Sequence, residues 1–537
     1  MSEQALDAIL ENGTIYDGSG GEPRVADIGI RGDKIVTIGR LDQAVCARRI
    51  DVSGMAVAPG FIDLHTHSDF TLVVDGKAES QVHQGVTTEV IGQCGHSVAP
   101  LRHRDAPTGK RGQSRLSAAA DHGWESFGEY LDTLEKNELG VNVAAFVGHG
   151  TIHHAVMGDD LRMPDPDEVE QMADLVRQSF EEGAAGFSTG LEYWPGNQST
   201  PETIEPLCRV AAEYDRLYAT HVRNRDRYYD LGFREAIATA RAAGCRLQIS
   251  HIQPKYGAPD FAMEHTLEMI DLDRRHGLNV AFDIIPHDWN HTLVMAILPK
   301  WALEGGEQKI IERLQDTACR ERIKANQNPM WLLVRDRVWS KVRLLSSAEN
   351  THLIGETFED IGRMRGIDPY DAVFDLLLEE APGMHRLFWT SQAFRDADLK
   401  LCLGHCDCAV ISDTKALAPW GRLANDVGSL SGYGWTSEFL SKYVREDKTL
   451  SLAEGVRRMT GLPAQRIGLR DRGLIREGYK ADIVVFGPDT VSSTWSVKSP
   501  RTFAKGFEHV FVNGEQTILR GERTQTNKGR VLRGPFS

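Results

Sequence analysis

The sequence has no apolar run of about 18 residues or more, so we expect no membrane-spanning helix and no membrane partner. It begins MSEQALDAILENG, without the basic segment and apolar core of a secretory signal, and the expected location is the cytoplasm. The chain has fewer basic than acidic residues, 61 Lys and Arg compared with 76 Asp and Glu, which argues against a nucleic-acid partner. Eight cysteines scattered through 537 residues indicate no disulfide scaffold.

Short alternating segments, typical of small antiparallel strands, occupy both ends of the chain. Near the start they read DAILENGTIYDG, DIGIRG and KIVTIG, with Gly and Asp turns between them. The same alternating pattern occurs in ADIVVFGPDTV and EHVFVNGEQTI near the end. The pattern predicts one small β-sandwich domain, built from residues 1–55 and 466–537.

The middle of the chain, residues 56–465, alternates apolar runs with helical patterns, as parallel βα units do. Eight strands with helices between them predict a distorted TIM (β/α)8 barrel, whose active site belongs at the carboxyl ends of its strands. The fold class is therefore α/β. The eight predicted strands are 56–64, 86–92, 143–147, 184–188, 217–221, 246–251, 279–285 and 409–412.

Two irregular regions interrupt this alternation. Residues 100–123 form a basic loop that follows the second strand, either a solvated surface loop or a lid over the barrel mouth; its cations are Arg102, Arg104, Lys110, Arg111 and Arg115. Residues from about 288 to 348 carry four tryptophans and predict an inserted subdomain packed beside the barrel.

Potential metal ligands stand where the predicted strands end. The first strand runs into His65 and His67, which project to the same side of an extended backbone, as does Asp63, a residue that could orient a ligand. Five strand ends in all supply candidates, namely His65, His67, Cys94, His221, His251 and Asp413. Imidazole and thiolate ligands favour zinc over magnesium or calcium. Six ligands suffice for one ion or for two that share a ligand.

The ordered motifs GFIDLHTHSD, GVTTEVIGQCGHS, GFSTGLEYWPG, YATHVR, ISH and VISD resemble the amidohydrolase superfamily, and within it the N-acyl-D-amino-acid deacylases, or D-aminoacylases. The resemblance covers nearly the whole chain. It implies that His65 and His67 form one metal site and that His221 and His251 form the other. It also implies that Cys94 takes the place of a bridging carboxylated lysine and that Asp413 is the catalytic aspartate.

The implied reaction is hydrolysis of a carbon–nitrogen amide bond other than a peptide bond. A zinc-activated water attacks the scissile carbonyl, and Asp413 acts as general base and then as general acid. Tyr193, in the loop after the fourth strand, is a candidate hydrogen-bond donor to the substrate.

The sequence departs from the family pattern at positions that concern the substrate. Where the family commonly carries two arginines, a lysine and two tyrosines, this chain has His153, Trp420, Gln253, Ile285 and His287. Losing three fixed cations removes a preorganised site for a free carboxylate, and Ile285 and Trp420 would line an apolar pocket instead. We therefore expect a neutral or aromatic N-acyl compound or a cyclic amide as the small-molecule substrate. Arg223 and the basic loop at 102–115 are the cations that could still hold a carboxylate.

Other hypotheses stay open at this point. The substrate could be an N-acyl-D-amino acid as in the family, or a carbamate, urea or lactone. A catalytically silent barrel used as a binding protein is disfavoured because the ligand set is retained. A second zinc site in LCLGHCDCAV is also disfavoured, since its spacing matches no common structural zinc pattern. A homo-oligomer is possible.

Overall fold

Eight parallel strands form a nearly closed barrel in the computed structural model, which describes residues 5–101, 123–158, 160, 162–424 and 426–536. Neighbours in the barrel follow the order of the chain, except that the inserted segment precedes the last strand. We number the barrel strands first to eighth: Phe61–Asp63, Val86–Ile91, Asn142–Gly148, Gly186–Gly190, Leu217–His221, Arg246–Ile249, Val280–Ile284 and Cys408–Val410. All eight predicted strands are present, and the predicted barrel is confirmed.

The barrel closes just beyond the ends of its first and eighth strands. Thr66 and Thr414 form a parallel bridge, the Asp413 amide donates to the His65 carbonyl at 3.1 Å, and the His67 amide donates to the Thr414 carbonyl at 2.6 Å. These bonds place residues 65–67 beside residues 413–414. The closure of the barrel thereby brings together polar residues that lie almost 350 positions apart in the sequence.

Helices surround the barrel, as their amphipathic patterns predict. Each of the longer ones buries one apolar face against the strands in a large shared core. The helices that follow successive strands are Thr71–Val74, Glu79–Val82, Phe127–Glu135, His149–Met157, Pro166–Glu181, Pro201–Glu213, Tyr229–Ala243, Ala262–Arg275, Asp396–Gly404, Trp435–Glu438, Phe439–Glu446 (a π-helix), Leu452–Met459 and Gly461–Ile467, with one 3₁₀ turn at Gly421–Leu423. Inside the barrel, a separate apolar cluster around Ile62, Val90 and Phe146 fills the lumen.

Strands from both ends of the chain join in one continuous nine-stranded sheet with its own apolar core. Its members are Ala8–Ile15, Arg24–Arg31, Lys34–Gly39, Arg49–Asp51, Ala56–Pro59, Ile483–Phe486, Phe507–Val512, Glu515–Leu519 and Glu522–Arg523. The predicted strand 56–64 is therefore two strands: Ala56–Pro59 pairs in this sheet, and Phe61–Asp63 begins the barrel. The break falls at Gly60, where an added Cβ would lie 2.2 Å from the Thr87 side chain.

The inserted segment builds a third, three-stranded sheet from Trp289–Leu293, Val342–Ser346 and Phe388–Gln392. Its last strand lies beyond the predicted insertion at about 288–348, and its apolar core runs from Val294 to Phe394. The helices here are Lys300–Leu303, Gly306–Gln315, Thr317–Lys324, Leu332–Arg335, Phe358–Arg365 and Pro369–Glu379, with 3₁₀ turns at Val294–Ile297, Trp339–Lys341, Thr351–Leu353 and Met384–Arg386. The division of the chain into domains stays a prediction.

A buried polar network joins the terminal sheet to the barrel. Asp482 forms an ion pair with Arg472 and accepts hydrogen bonds from the Asn513 amide at 2.7 Å and from Asn142 Nδ2 at 3.2 Å. All four residues are at least nine-tenths buried, and Asn142 begins the third barrel strand. The two sheets are therefore held together by charge and hydrogen bonds as well as by apolar packing.

Substituting Asp482→Ala tests the weight of this network. Removing one partner of a buried ion pair leaves an uncompensated charge, so we expect the free energy of unfolding to fall by about 3–5 kcal/mol. Denaturant unfolding followed by circular dichroism measures the change. Asp174→Ala is the matched control, because the Asp174 side chain is 63% exposed in its helical pair with Arg177 and its loss should leave the unfolding midpoint nearly unchanged. Equal midpoints for the two variants would contradict the account.

Candidate metal centre and active site

The six predicted ligands converge at the carboxyl ends of the barrel strands. Cys94 lies near the centre of the group, with its Sγ 3.3 Å from His65 Nε2, 3.4 Å from His251 Nε2 and 3.7 Å from His221 Nδ1. Ligand atoms of His65, Cys94, His251 and Asp413 all lie within 4.8 Å of one another. Residues from the first, second, fifth, sixth and eighth strands thus form one compact cluster.

Asp413 completes the cluster on the side of the first strand. Its Oδ1 lies 3.1 Å from His67 Nε2 and 3.4 Å from His65 Nε2. On the opposite side, His221 Nδ1 lies 3.1 Å from His251 Nε2. The two histidine pairs are therefore bridged by Cys94 and flanked by one carboxylate.

Three members of the cluster have backbone conformations that non-glycine residues rarely adopt. The φ angles of Cys94, His251 and Asp413 are 53°, 34° and 50°, in the left-handed region. Such strain persists only where the surrounding structure enforces it, and it concentrates at functional sites. Three strained residues in one cluster indicate that holding these side chains in position costs backbone energy.

Two buried carboxylates hold the main chain beneath the cluster. Asp63 Oδ1 accepts from the amides of His65 at 3.3 Å and Ser412 at 3.1 Å, and Asp283 Oδ1 accepts from the His251 amide at 2.6 Å. Asp63 was predicted to orient a ligand from its own strand. Its hydrogen bonds to the main chain orient the turns that carry His65 and Asp413.

The charges of the cluster suit a divalent cation. Burial raises the pKa of the Cys94 thiol, but the positive charge of His65 and His251 and hydrogen bonds from His221 and His251 outweigh it and hold that pKa well below its usual value. The same balance, with His251 and His65 as main partners, lowers the pKa of Asp413 well below its usual value. A thiolate and a carboxylate among four imidazoles form the donor set that zinc prefers, so these residues fit that ion.

Glu192 contacts the cluster from outside, through His221. Its Oε2 lies 2.8 Å from His221 Nε2, and its Oε1 accepts from Lys255 Nζ at 2.5 Å. Burial would raise the pKa of Glu192, but Lys255 and His221 lower it to about 2. No motif marks this contact, since Glu192 and Lys255 are 63 positions apart.

Known proteins resemble this chain along its whole length. A sequence profile of the amidohydrolase family matches residues 48–518. An N-acyl-D-glutamate deacylase of Alcaligenes xylosoxydans xylosoxydans is 32% identical over 99% of this chain and 97% of its own, and a D-aminoacylase from the same organism is 31% identical over 98% of both.

Solved structures agree with these sequence relatives. An N-acyl-D-glutamate deacylase from Bordetella bronchiseptica, complexed with zinc and a phosphonate mimic of the tetrahedral intermediate, superimposes with a TM-score of 0.82 at 30% identity, covering 99% of this chain and all of that one. A D-aminoacylase studied for its binuclear metal centre gives 0.80 at 29% identity. The chain belongs to the amidohydrolase family. It is a hydrolase, and the predicted family and enzyme class are confirmed.

Tyr193 and His153, two of the predicted substrate-binding residues, lie in different surroundings, and their role stays a prediction. The Tyr193 ring packs against His221 at 4.8 Å between ring centres, and burial raises the pKa of its phenol well above the usual value, which keeps the hydroxyl protonated. His153 lies 5.8 Å from the adjacent Trp194 ring, and its Nδ1 is buried without a hydrogen-bond partner among the described residues. His153 and Trp194 line a small cavity together with Met163 and Ser199.

Two other candidates are already occupied by partners within the chain. Arg223 donates to both carboxylate oxygens of Glu235 at 2.8 Å and to the Ser199 carbonyl at 2.6 Å, so it is not free to hold a substrate carboxylate as predicted. Gln253 is fully buried, and its Nε2 donates to the Ile285 carbonyl at 2.8 Å. Gln253 thus ties the ends of the sixth and seventh strands together, and its role in substrate binding stays a prediction.

Ile285 and Trp420, which were predicted to line one apolar pocket, have different surroundings. Ile285 packs in the cluster that fills the barrel lumen, whereas Trp420 is 48% exposed and contacts Phe503. His287 is also a structural residue: its Nδ1 accepts from the Trp289 amide at 3.2 Å, and its Nε2 lies 2.7 Å from Ser431 Oγ. The basic residues between 102 and 115, considered above as a lid, lie outside the described residues.

The cysteine-rich segment before the eighth strand does not form a comparable cluster. His405, Cys406 and Asp407 do lie within reach of one ion. However, His405 Nε2 already pairs with Asp271 at 2.9 Å, Asp407 pairs with Arg274 at 2.5 Å, and Cys406 is exposed. Cys402 and Cys408 are buried with raised thiol pKa values, as expected of structural cysteines.

Removing a single thiol distinguishes the two cysteine sites. We expect Cys94→Ala to lower the zinc affinity by at least about 10- to 100-fold, the cost typical of disturbing even an outer partner of a ligand. Zinc content after dialysis, measured by plasma emission spectroscopy, reports the loss. Cys406→Ala is the matched control and should keep the zinc content of the unchanged protein. Loss of zinc from the Cys406 variant alone would show that the metal binds at His405, Cys406 and Asp407 and not at the cluster around Cys94.

Proposed function

We propose that this protein is a zinc-dependent hydrolase that cleaves the C–N bond of an amide substrate, and that this substrate carries no free carboxylate beside the bond. The observation that carries the proposal is the convergence of Cys94, Asp413 and four histidines at the mouth of a barrel of the amidohydrolase family. His65, His67, Cys94, His221 and His251 would hold one or two zinc ions. The bound metal supplies a Lewis acid that polarises the scissile carbonyl and lowers the pKa of the attacking water.

The chain's own residues move the protons. Asp413 is ionised, so one carboxylate oxygen accepts a proton as the water oxygen bonds to the carbonyl carbon. The same proton is then donated to the departing nitrogen as the C–N bond breaks. The Tyr193 hydroxyl, kept protonated by burial, is suited to donate a hydrogen bond to the carbonyl oxygen, where negative charge develops. The products are a carboxylic acid and an amine.

The proposed substrate class follows from how the cations near the site are used. Lys255 binds Glu192, Arg223 binds Glu235, and Arg225 donates to the main-chain carbonyl of His251. A cation held by an internal carboxylate or carbonyl offers little further attraction to a substrate carboxylate. A neutral or aromatic N-acyl compound, or a cyclic amide, avoids burying an unpaired charge among them.

A second candidate is an N-acyl-D-amino acid. It is favoured by the names of the relatives, an N-acyl-D-glutamate deacylase and a D-aminoacylase that each match almost the whole chain. In that case the carboxylate would need a partner other than the three cations above. Cytoplasmic location and homo-oligomer formation remain predictions; no helix in the described ranges is long and apolar enough to cross a membrane.

Two matched substrates decide between the candidates. N-Acetyl-D-leucine and its decarboxylated analogue N-(3-methylbutyl)acetamide share the acyl group and side chain and differ in the carboxylate. Because an uncompensated charge costs about 1.5–3 kcal/mol, we expect kcat/KM to favour the neutral amide by about 10- to 100-fold. Release of acetate by zinc-loaded enzyme measures both rates. A preference for the D-amino acid would establish the second candidate instead.

Substituting Asp413→Asn tests the assigned proton carrier. An amide cannot accept the proton, so kcat should fall by about 10²- to 10⁴-fold. Zinc content is measured on the same sample, because Asp413 also lies against His65 and His67. Asp426→Asn, at a carboxylate that pairs with Lys415, is the control. Activity of the Asp413 variant close to that of the control would show that another group carries the proton.

A further inference from the structure

The four histidines of the metal cluster differ in what holds their outer ring nitrogen. His65, His67 and His251 point Nε2 into the cluster, and their Nδ1 atoms are buried without a hydrogen-bond partner among the described residues. His221 is reversed: Nδ1 faces Cys94 and His251, and Nε2 faces Glu192. An ionised carboxylate only accepts hydrogen bonds, so Glu192 fixes the proton on Nε2 and leaves the Nδ1 lone pair for a metal.

Glu192 is in turn held by Lys255, a fully buried cation with three contacts. Its Nζ donates to Glu192 Oε1 at 2.5 Å and to the Met330 carbonyl at 3.0 Å, and it lies 4.8 Å from the centre of the Trp331 ring. Met330 and Trp331 belong to the inserted segment. A chain of polar contacts therefore runs from the insertion through Lys255 and Glu192 to one imidazole of the cluster.

We propose that Glu192 and Lys255 are positioning residues that set the metal-binding tautomer and orientation of His221, and that the inserted segment fixes Lys255 for this role. Carboxylates on the outer nitrogen of a ligating histidine raise its basicity and fix its ring, and their loss typically weakens metal binding. His221 is the ligand of this cluster that depends on such a partner. The inference rests on the proposed function, because it assumes that the cluster holds zinc.

The test measures zinc affinity by competition with a chromogenic chelator in the full-length protein. We expect Glu192→Gln to bind zinc about 10- to 100-fold more weakly, since the amide preserves the size of the side chain but removes the negative charge beside His221. Lys255→Gln, which keeps Glu192 in place without its cation, should weaken binding in the same direction. In cobalt-substituted protein, the visible absorption spectrum should change in both variants, because the ligand field at His221 changes.

Glu235→Gln is the matched control, because Glu235 pairs with Arg223, two residues from His221, and contacts no candidate metal ligand among the residues that the structure describes. It should keep both the zinc affinity and the cobalt spectrum of the unchanged protein. If Glu192→Gln keeps the zinc affinity and the cobalt spectrum unchanged, the inference is overturned and the proposed function stays intact. Should Glu192→Gln not fold, the same result in Lys255→Gln overturns the inference. A wild-type chain that binds no zinc would refute the proposed function itself.

Discussion

The constraint on which this structure depends is the burial of two anions, the Cys94 thiolate and the Asp413 carboxylate, at the mouth of a closed barrel. Each would be costly there without cationic or metal partners. Four imidazoles surround them, and the closure of the first strand on the eighth brings the carboxylate within 3.1 Å of His67. Strained backbone at Cys94, His251 and Asp413 adds to the cost. A bound divalent cation would stabilise both anions, which would tie the chemistry of the site to the stability of the barrel.

The barrel and the clustering of its candidate ligands were predictable because both follow from local sequence. Buried parallel strands read as apolar runs, and ligands at their carboxyl ends must meet when the barrel closes. The break at Gly60 was missed for the same reason: apolar residues run from Ala56 to Leu64 on both sides of the Pro59-Gly60 pair, although the chain passes there from one sheet to another. The pattern of apolar residues indicates that a segment is buried, but it does not indicate which sheet the segment joins.

The substrate side was harder to predict, because a polar side chain can turn either to a ligand or to a partner within the chain. Arg223 turns to Glu235, and Gln253 turns to the Ile285 carbonyl, across 12 and 32 positions of sequence. Neither partner is marked by a motif. The contact of Glu192 with Lys255 escaped prediction in the same way, since it forms only when the loops after the fourth and sixth strands lie side by side. Residues that act through distant partners have no signature in a single sequence.

The location of the metal tests the central claim most directly. Crystals of the protein grown with zinc, with diffraction data collected on both sides of the zinc absorption edge, would place each ion by anomalous scattering. The account predicts anomalous density among Cys94 Sγ, His65 Nε2, His251 Nε2 and Asp413, on the barrel side of His221. Density confined to His405, Cys406 and Asp407, or none near Cys94, would contradict it.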